Sequence, residues 1–176
     1  MKEKDKKNEF VENVLYIALG LIIAISSNYI LGLILRTDLP VVAVVSESMT
    51  HDETTEYRHY KYLEGEFGYT REEIDSWPLK NGFRKGDVLV VIGVNTSKLE
   101  VGDVIVYDIN NQKIPIVHRI VKMNNSKIVT KGDHNPTIDP WEAVYVHGKA
   151  VFVIPYLGWP KLIFTYIMSF ILSLLF

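Results

Sequence analysis

Hydrophobic and polar positions follow three different patterns along the chain, and each predicts a different kind of element. From Val14 to Leu35 (VLYIALGLIIAISSNYILGLIL) 22 residues pass without a charge. That matches the ~20 apolar residues a helix needs to cross a bilayer core. Ser26, Ser27 and Asn28 weaken its middle without forbidding a span. A cleaved leader ending near Ala24-Ile25-Ser26 is the rival, but the apolar stretch runs on past that point, which a removed segment would not require. Leu162–Phe176 is a second charge-free run, of 15 residues. As helix it reaches ~22 Å, short of a ~30 Å hydrocarbon layer. Trp159, Pro160 and Lys161 before it suit the headgroup level. A short second span, a helix in the membrane surface and a buried core helix all fit this run.

Between these ends, from Pro40 onward, the pattern changes to short β-branched runs. Val41–Val45, Val88–Val94, Val104–Ile109, Ile114–Val121, Ile128–Lys131 and Val144–Ile154 read as β-strands. Asn110-Asn111-Gln112 and Asn124-Asn125-Ser126 are hairpin turns, so Val104–Lys131 forms a three-stranded antiparallel meander. Gly86-Asp87, Gly102-Asp103 and Gly132-Asp133 mark further turns. Asp52–Asn81 breaks the pattern, being rich in charge and tyrosine. Thr70-Arg71-Glu72-Glu73 within it is a helix-starting capping box. The expected fold is mainly β: a membrane-anchored, folded antiparallel sheet or barrel with a partly helical insertion and a C-terminal apolar helix. The expected divisions are a tail over 1–13, an anchor over 14–35, a β-rich domain over 37–158 with an insertion over 52–81, and an apolar segment over 159–176.

Charge refines this. The 176 residues carry 19 Lys+Arg and 21 Asp+Glu, a net charge of −2. Without a basic excess, a nucleic-acid partner has no electrostatic support. The 48% hydrophobic content coexists with 23% charged residues because all charges lie outside the two apolar runs. Lys2, Lys4, Lys6 and Lys7 precede the anchor and Arg36 alone closely follows it. That bias puts the N-terminus in the cytoplasm and the β-rich domain outside, on the cell membrane.

The chain has no cysteine, which excludes disulfides, thiol nucleophiles and Cys-ligated metals. Ser46-Glu47-Ser48-Met49 ends an apolar strand close to the anchor. A serine attacks only when a base takes its proton and a third group holds that base. Among the five histidines, His118 stands on a strand face otherwise made of isoleucines, where an imidazole must find a partner. Asp133 and Asp139 lie downstream, within reach of that strand. Lysine bases are disfavoured because they must shed their charge. Lys131, beside Asp133, is expected to be a solvated or ion-paired cation. His118, His134, His147, Asp133 and Asp139 lack the close spacing of a metal site, so neither metal nor other cofactor is expected.

The wording of the whole set goes further. Ser46-Glu-Ser48-Met49, Arg84-Lys-Gly-Asp87, Val101-Gly-Asp103, Ile-Pro-Ile-Val-His118-Arg119, Thr130-Lys-Gly-Asp133-His-Asn…Asp139 and Val153-Ile-Pro155-Tyr-Leu-Gly158 occur in this order. The chain thereby resembles a type I signal peptidase of the archaeal and endoplasmic-reticulum kind, with histidine where the bacterial kind has lysine. The resemblance covers about Val14–Gly158 apart from the insertion.

The resemblance implies a membrane-bound serine endopeptidase that removes signal peptides from exported precursors. It implies Ser48 as nucleophile, His118 as general base and Asp139 as triad acid. Asp133 would be a supporting acid, and Ser46 an oxyanion donor. Precursor proteins and membrane lipids are the expected partners, with the translocation channel a further candidate. Two departures stand out: Glu47 replaces the usual glycine, and His51 stands where proline is expected. Glu47 could place a carboxylate beside the site, and His51-Asp52 reads as a surface turn. The competing reading is a non-catalytic, membrane-anchored β-domain serving as subunit or scaffold of an export complex.

Overall fold

The computed structural model describes residues 2–110, 112, 114–124 and 127–175. The turn residues Asn111, Asn125 and Ser126 lie outside the described set. Helix α1 runs over Lys2–Leu35, and its Glu9–Leu35 portion is long and apolar enough to cross a membrane. Its described side chains face outward almost throughout, as they would toward lipid. The helix hands over to the β-domain through backbone: Gly93 N–H donates to Leu35 O at 2.7 Å, and the Thr37 hydroxyl to His147 O at 2.8 Å.

Six strands form one antiparallel sheet in the order β1-β2-β6-β3-β4-β5. They are β1 Val41–Ala43, β2 Val88–Ile92, β3 Val104–Asp108, β4 Ile116–Asn124, β5 Lys127–Lys131 and β6 Tyr145–Ile154. The sheet is open, with β1 and β5 at its edges. The meander β3-β4-β5 follows the predicted order. Strand β4 starts later than expected, after Pro115, which has no N–H to give a ladder. Three bulges bend the sheet, at Val90/Val91, Val106/Tyr107 and Ile120/Lys122.

Two Gly-Asp turns share one device. In each, glycine takes a positive φ (92° at Gly86, 96° at Gly102), and the following aspartate folds back onto the backbone N–H three residues earlier. Asp87 accepts from Arg84 N at 2.8 Å and Asp103 from Glu100 N at 3.1 Å.

Apolar side chains pack on both faces. One cluster joins Met49, Phe83, Leu89 and Val106; another joins Ile105, Tyr107 and Ile120. The insertion contributes a third, in which Leu63 and Ile74 cover Val121. It begins with a π-helical segment over Glu56–Lys61, which leads into α2 (Tyr62–Phe67) and then α3 (Arg71–Ser76). The capping box read from the sequence starts α3: the Thr70 hydroxyl accepts from Glu73 N, and the Glu73 carboxylate from Thr70 N.

Helix α4, Trp159–Leu175, is apolar but only 17 residues long. From Ile163 through Leu174 its side chains are outward-facing and Leu162 is only half-buried, so it is no core helix.

Candidate active site

The segment Ser46–Thr50 leaves β1 as a tight turn held from three sides. Met49 is its anchor, 1% exposed in the sheet core. Phe83 N donates to Met49 O at 3.0 Å, and His134 N to Ser48 O at 2.9 Å. The neighbour Glu47 does not crowd the site. Its carboxylate turns back to accept from the Thr50 hydroxyl and the Lys85 N–H. Ser48 is left free to expose its hydroxyl, which lies 3.1 Å from Ser46 Oγ.

His118 sits on β4 opposite Ile105 of β3, and is buried. After β5 the chain turns back, and Asp139 N donates to Thr130 O at 2.9 Å. This brings Asp139 Oδ2 to 2.6 Å from His118 Nδ1. The same oxygen accepts from the Thr130 hydroxyl at 2.7 Å and from the Tyr107 hydroxyl at 3.2 Å. Burial alone would raise the Asp139 pKa, but the His118 bond and charge, with the two hydroxyls, hold it below the usual carboxylate value. Asp139 is therefore an ionised acceptor that fixes the imidazole by its Nδ1–H and leaves Nε2 for chemistry.

Ser46, Ser48 and His118 line one cavity of about 460 Å³, whose long wall is Val41–Val45 of β1 and the turn after it. Trp141, Ile114 and Val117 complete it. Among the described residues Ser48 Oγ has Ser46 as its hydrogen-bond partner, not His118. A serine that shares a cavity with a carboxylate-held histidine can act as a nucleophile after a rotation about its Cα–Cβ bond.

Asp133 lies apart from this cavity, 1% exposed, beneath the Ser46–Thr50 turn. Arg119 spans its carboxylate, with Nε to Oδ1 at 2.9 Å and Nη2 to Oδ2 at 2.8 Å. Burial pushes the Asp133 pKa up, but the guanidinium and a bond from His51 at 3.0 Å hold it far below the normal range. His51 is thus no surface turn residue. It joins His59 over Asp133, and both come from positions far from it along the chain. The His59 pKa falls to about 4, because burial disfavours its charged form more than Asp133 favours it.

Ligand atoms of His51, His59 and Asp133 lie within 4.8 Å of one another. A dication fits this group poorly. Arg119 already holds both oxygens of its one carboxylate, and Lys131 stands close by. The histidines considered from the sequence as metal ligands go elsewhere. His134 meets Arg58 at 2.9 Å, and His147 lies between Asp38 and Asp108.

Lys131 corrects a further expectation. It is 1% exposed rather than solvated, donates to Gly132 O and Asp133 O, and burial lowers its pKa to about 8.

No family model matches the chain. Curated proteins do. Over 97 residues the chain is 37% identical to the signal peptidase complex catalytic subunit SEC11 of Plasmodium falciparum, which covers 47% of this chain and 52% of that protein. Over 106 residues it is 30% identical to the protein of the same name from Colletotrichum graminicola, covering 51% and 60%. Over 65 residues it is 38% identical to SEC11 of Saccharomyces cerevisiae strain YJM789, covering 34% and 38%. The chain spans between about two fifths and three fifths of these relatives' own lengths. All three are eukaryotic and lend no support to an archaeal assignment.

Proposed function

We propose that the chain is a membrane-anchored serine endopeptidase that cleaves signal peptides from precursor proteins. The observation that carries the reading is the His118–Asp139 contact of 2.6 Å on the wall of the cavity that also holds Ser48. Similarity to catalytic subunits of signal peptidase complexes supports the same reaction.

In this mechanism Ser48 Oγ attacks the scissile carbonyl carbon. His118 Nε2 takes its proton and later returns it to the leaving amine, while Asp139 stabilises the imidazolium. The Ser48 N–H and the Ser46 hydroxyl would receive the developing oxyanion. Their contribution depends on being aimed before charge develops. Asp133 acts at a distance, by holding the turn that carries the nucleophile.

Substrate would bind extended along β1, whose outer edge has no strand beside it among the described residues. Main-chain hydrogen bonds would add a strand there, and the cavity would take small side chains. We assign 1–13 to the cytoplasm, 14–35 to the membrane and 37–158 to the far side, with the translocation channel as a candidate neighbour. The apolar segment 159–176 lies at the bilayer in this scheme, so both ends hold the cavity close to where precursors emerge.

One observation favours the non-catalytic reading: Ser48 Oγ bonds to Ser46 rather than to His118. The deciding experiment reconstitutes the full chain in lipid vesicles with a signal-peptide-bearing precursor. The parent should cleave and Ser48→Ala should not. Equal cleavage by both, or none by the parent, would favour the scaffold.

A further inference from the structure

Outside the three groups of the proposed reaction, one set of buried hydrogen bonds leads from the cavity wall to the triad acid. Trp141 lines the cavity and is 38% exposed. Its indole Nε1–H donates to the Tyr107 hydroxyl oxygen at 3.1 Å. Tyr107 is fully buried, and its oxygen is 2.8 Å from the Thr130 hydroxyl, itself 2.7 Å from Asp139 Oδ2.

The proton directions follow from chemistry. An indole N–H only donates, and an ionised carboxylate only accepts. The Thr130 proton therefore goes to Asp139. The single Tyr107 proton goes to Thr130, with Asp139 at 3.2 Å as its second acceptor. Every link then runs one way, from Trp141 through Tyr107 and Thr130 to Asp139. Aligned chains of this kind strengthen their members. They also converge on Oδ2, the oxygen that holds His118.

We propose that Trp141 is a positioning residue that acts through Tyr107 and Thr130 on the His118–Asp139 pair. The inference rests on the peptidase reading and deepens it. Donors that share Oδ2 with His118 draw charge away from the imidazole. They set how strongly Asp139 stabilises the imidazolium, and they fix the carboxylate in one orientation. Among the described residues, the other charged groups around His118 include Lys161 of α4, which lines the same cavity. Lys131 of β5 interacts with Asp139, Arg119 of β4 is committed to Asp133, and Glu47 is turned toward Thr50.

The test uses the full chain in nanodiscs, with the His118 Nδ1–H proton that Asp139 accepts followed by NMR at one fixed pH. Trp141→Phe keeps an aromatic wall and removes only the N–H. Its His118 Nδ1–H resonance should move downfield, since Oδ2 regains charge and accepts more strongly from the imidazole when the chain loses a donor. Tyr107→Phe should move it further in the same direction. In cleavage, Trp141→Phe should lower kcat about three- to tenfold with KM within about twofold. Trp141→Ala should raise KM as well. A His118 Nδ1–H resonance in Trp141→Phe that coincides with the parent's would overturn the proposal, whether or not Tyr107→Phe folds. Because the resonance is read without turnover, a parent that fails to cleave would defeat the peptidase reading and leave this one to be judged separately.

Discussion

Arg119 and Asp133 meet through two parallel hydrogen bonds, of 2.9 and 2.8 Å, with both side chains sealed from solvent. The remaining guanidinium hydrogens reach Pro78 O, Leu79 O and Gly102 O. One ion pair therefore ties the end of the insertion, a sheet turn and the loop under Ser48. Such a pair contributes little net stability while both partners stay, because desolvation offsets attraction. Losing one partner is different.

Asp133→Ala strands a buried guanidinium and should cost about 3–5 kcal/mol. Denaturant unfolding of the detergent-solubilised chain measures this. A loss below about 1 kcal/mol would mean that water or another acid replaces Asp133.

His59 sets the response to mild acid. Its pKa falls from 6.5 unfolded to about 4 folded. Between those values the unfolded chain binds a proton that the folded one refuses, so stability rises with pH across this window. Acidification from 6.5 toward 4 should remove about 3 kcal/mol at this residue. His147 works in the opposite sense, since Asp38 and Asp108 raise its pKa against the lowering effect of burial. Comparing the parent with His59→Phe isolates the His59 part. The stability difference between them should change with pH only inside the window, and a pH-independent difference would contradict the assignment.

Adjacent residues in the Ser46–Thr50 turn should separate chemistry from packing. Ser48→Ala removes one hydroxyl and should leave unfolding within about 0.5 kcal/mol of the parent. Met49→Ala empties a core position that is 1% exposed and should cost about 2–5 kcal/mol. Thermal unfolding of the two variants beside a cleavage assay checks both. Equal destabilisation would mean that the Ser48 side chain is structural.

The parts of the molecule visible from the sequence are those with a local signal. Twenty-two uncharged residues point to the anchor, β-branched runs to the strands, and Thr70…Glu73 to a helix start. His118 and Asp139 could be suspected of meeting because a hairpin joins their neighbourhoods. His51 and His59 could not be connected to Asp133, because 82 and 74 residues separate them from it and only the docking of the insertion unites them. Lys131 misled for a related reason. Its flanking Gly-Asp suggested a wet turn, yet strand β5 carries it inward, where backbone carbonyls receive its ammonium group. Tyr107 read as an ordinary strand aromatic, since periodicity places its ring but says nothing of where its hydroxyl ends.

Gly132 gives the sharpest test of how the turn is held. A Cβ there would lie 2.7 Å from Ser48 O and 2.8 Å from the Asn135 side-chain nitrogen. Asn135 can rotate away, but Ser48 O is backbone and accepts the His134 N–H at 2.9 Å. Gly132→Ala must therefore push the Ser48 carbonyl, and the hydroxyl moves with it. A displacement near 1 Å at a reacting group costs on the order of 100-fold in rate. The substitution brings no positive-φ penalty at Gly132, so its stability cost should stay within about 1–3 kcal/mol. Cleavage by Gly132→Ala should fall by one to two orders of magnitude in kcat while the folded chain persists, as judged by circular dichroism. Parent-like kcat in a folded variant would show that the loop below Ser48 yields without moving it, and that the close packing of Gly132 does not govern the nucleophile.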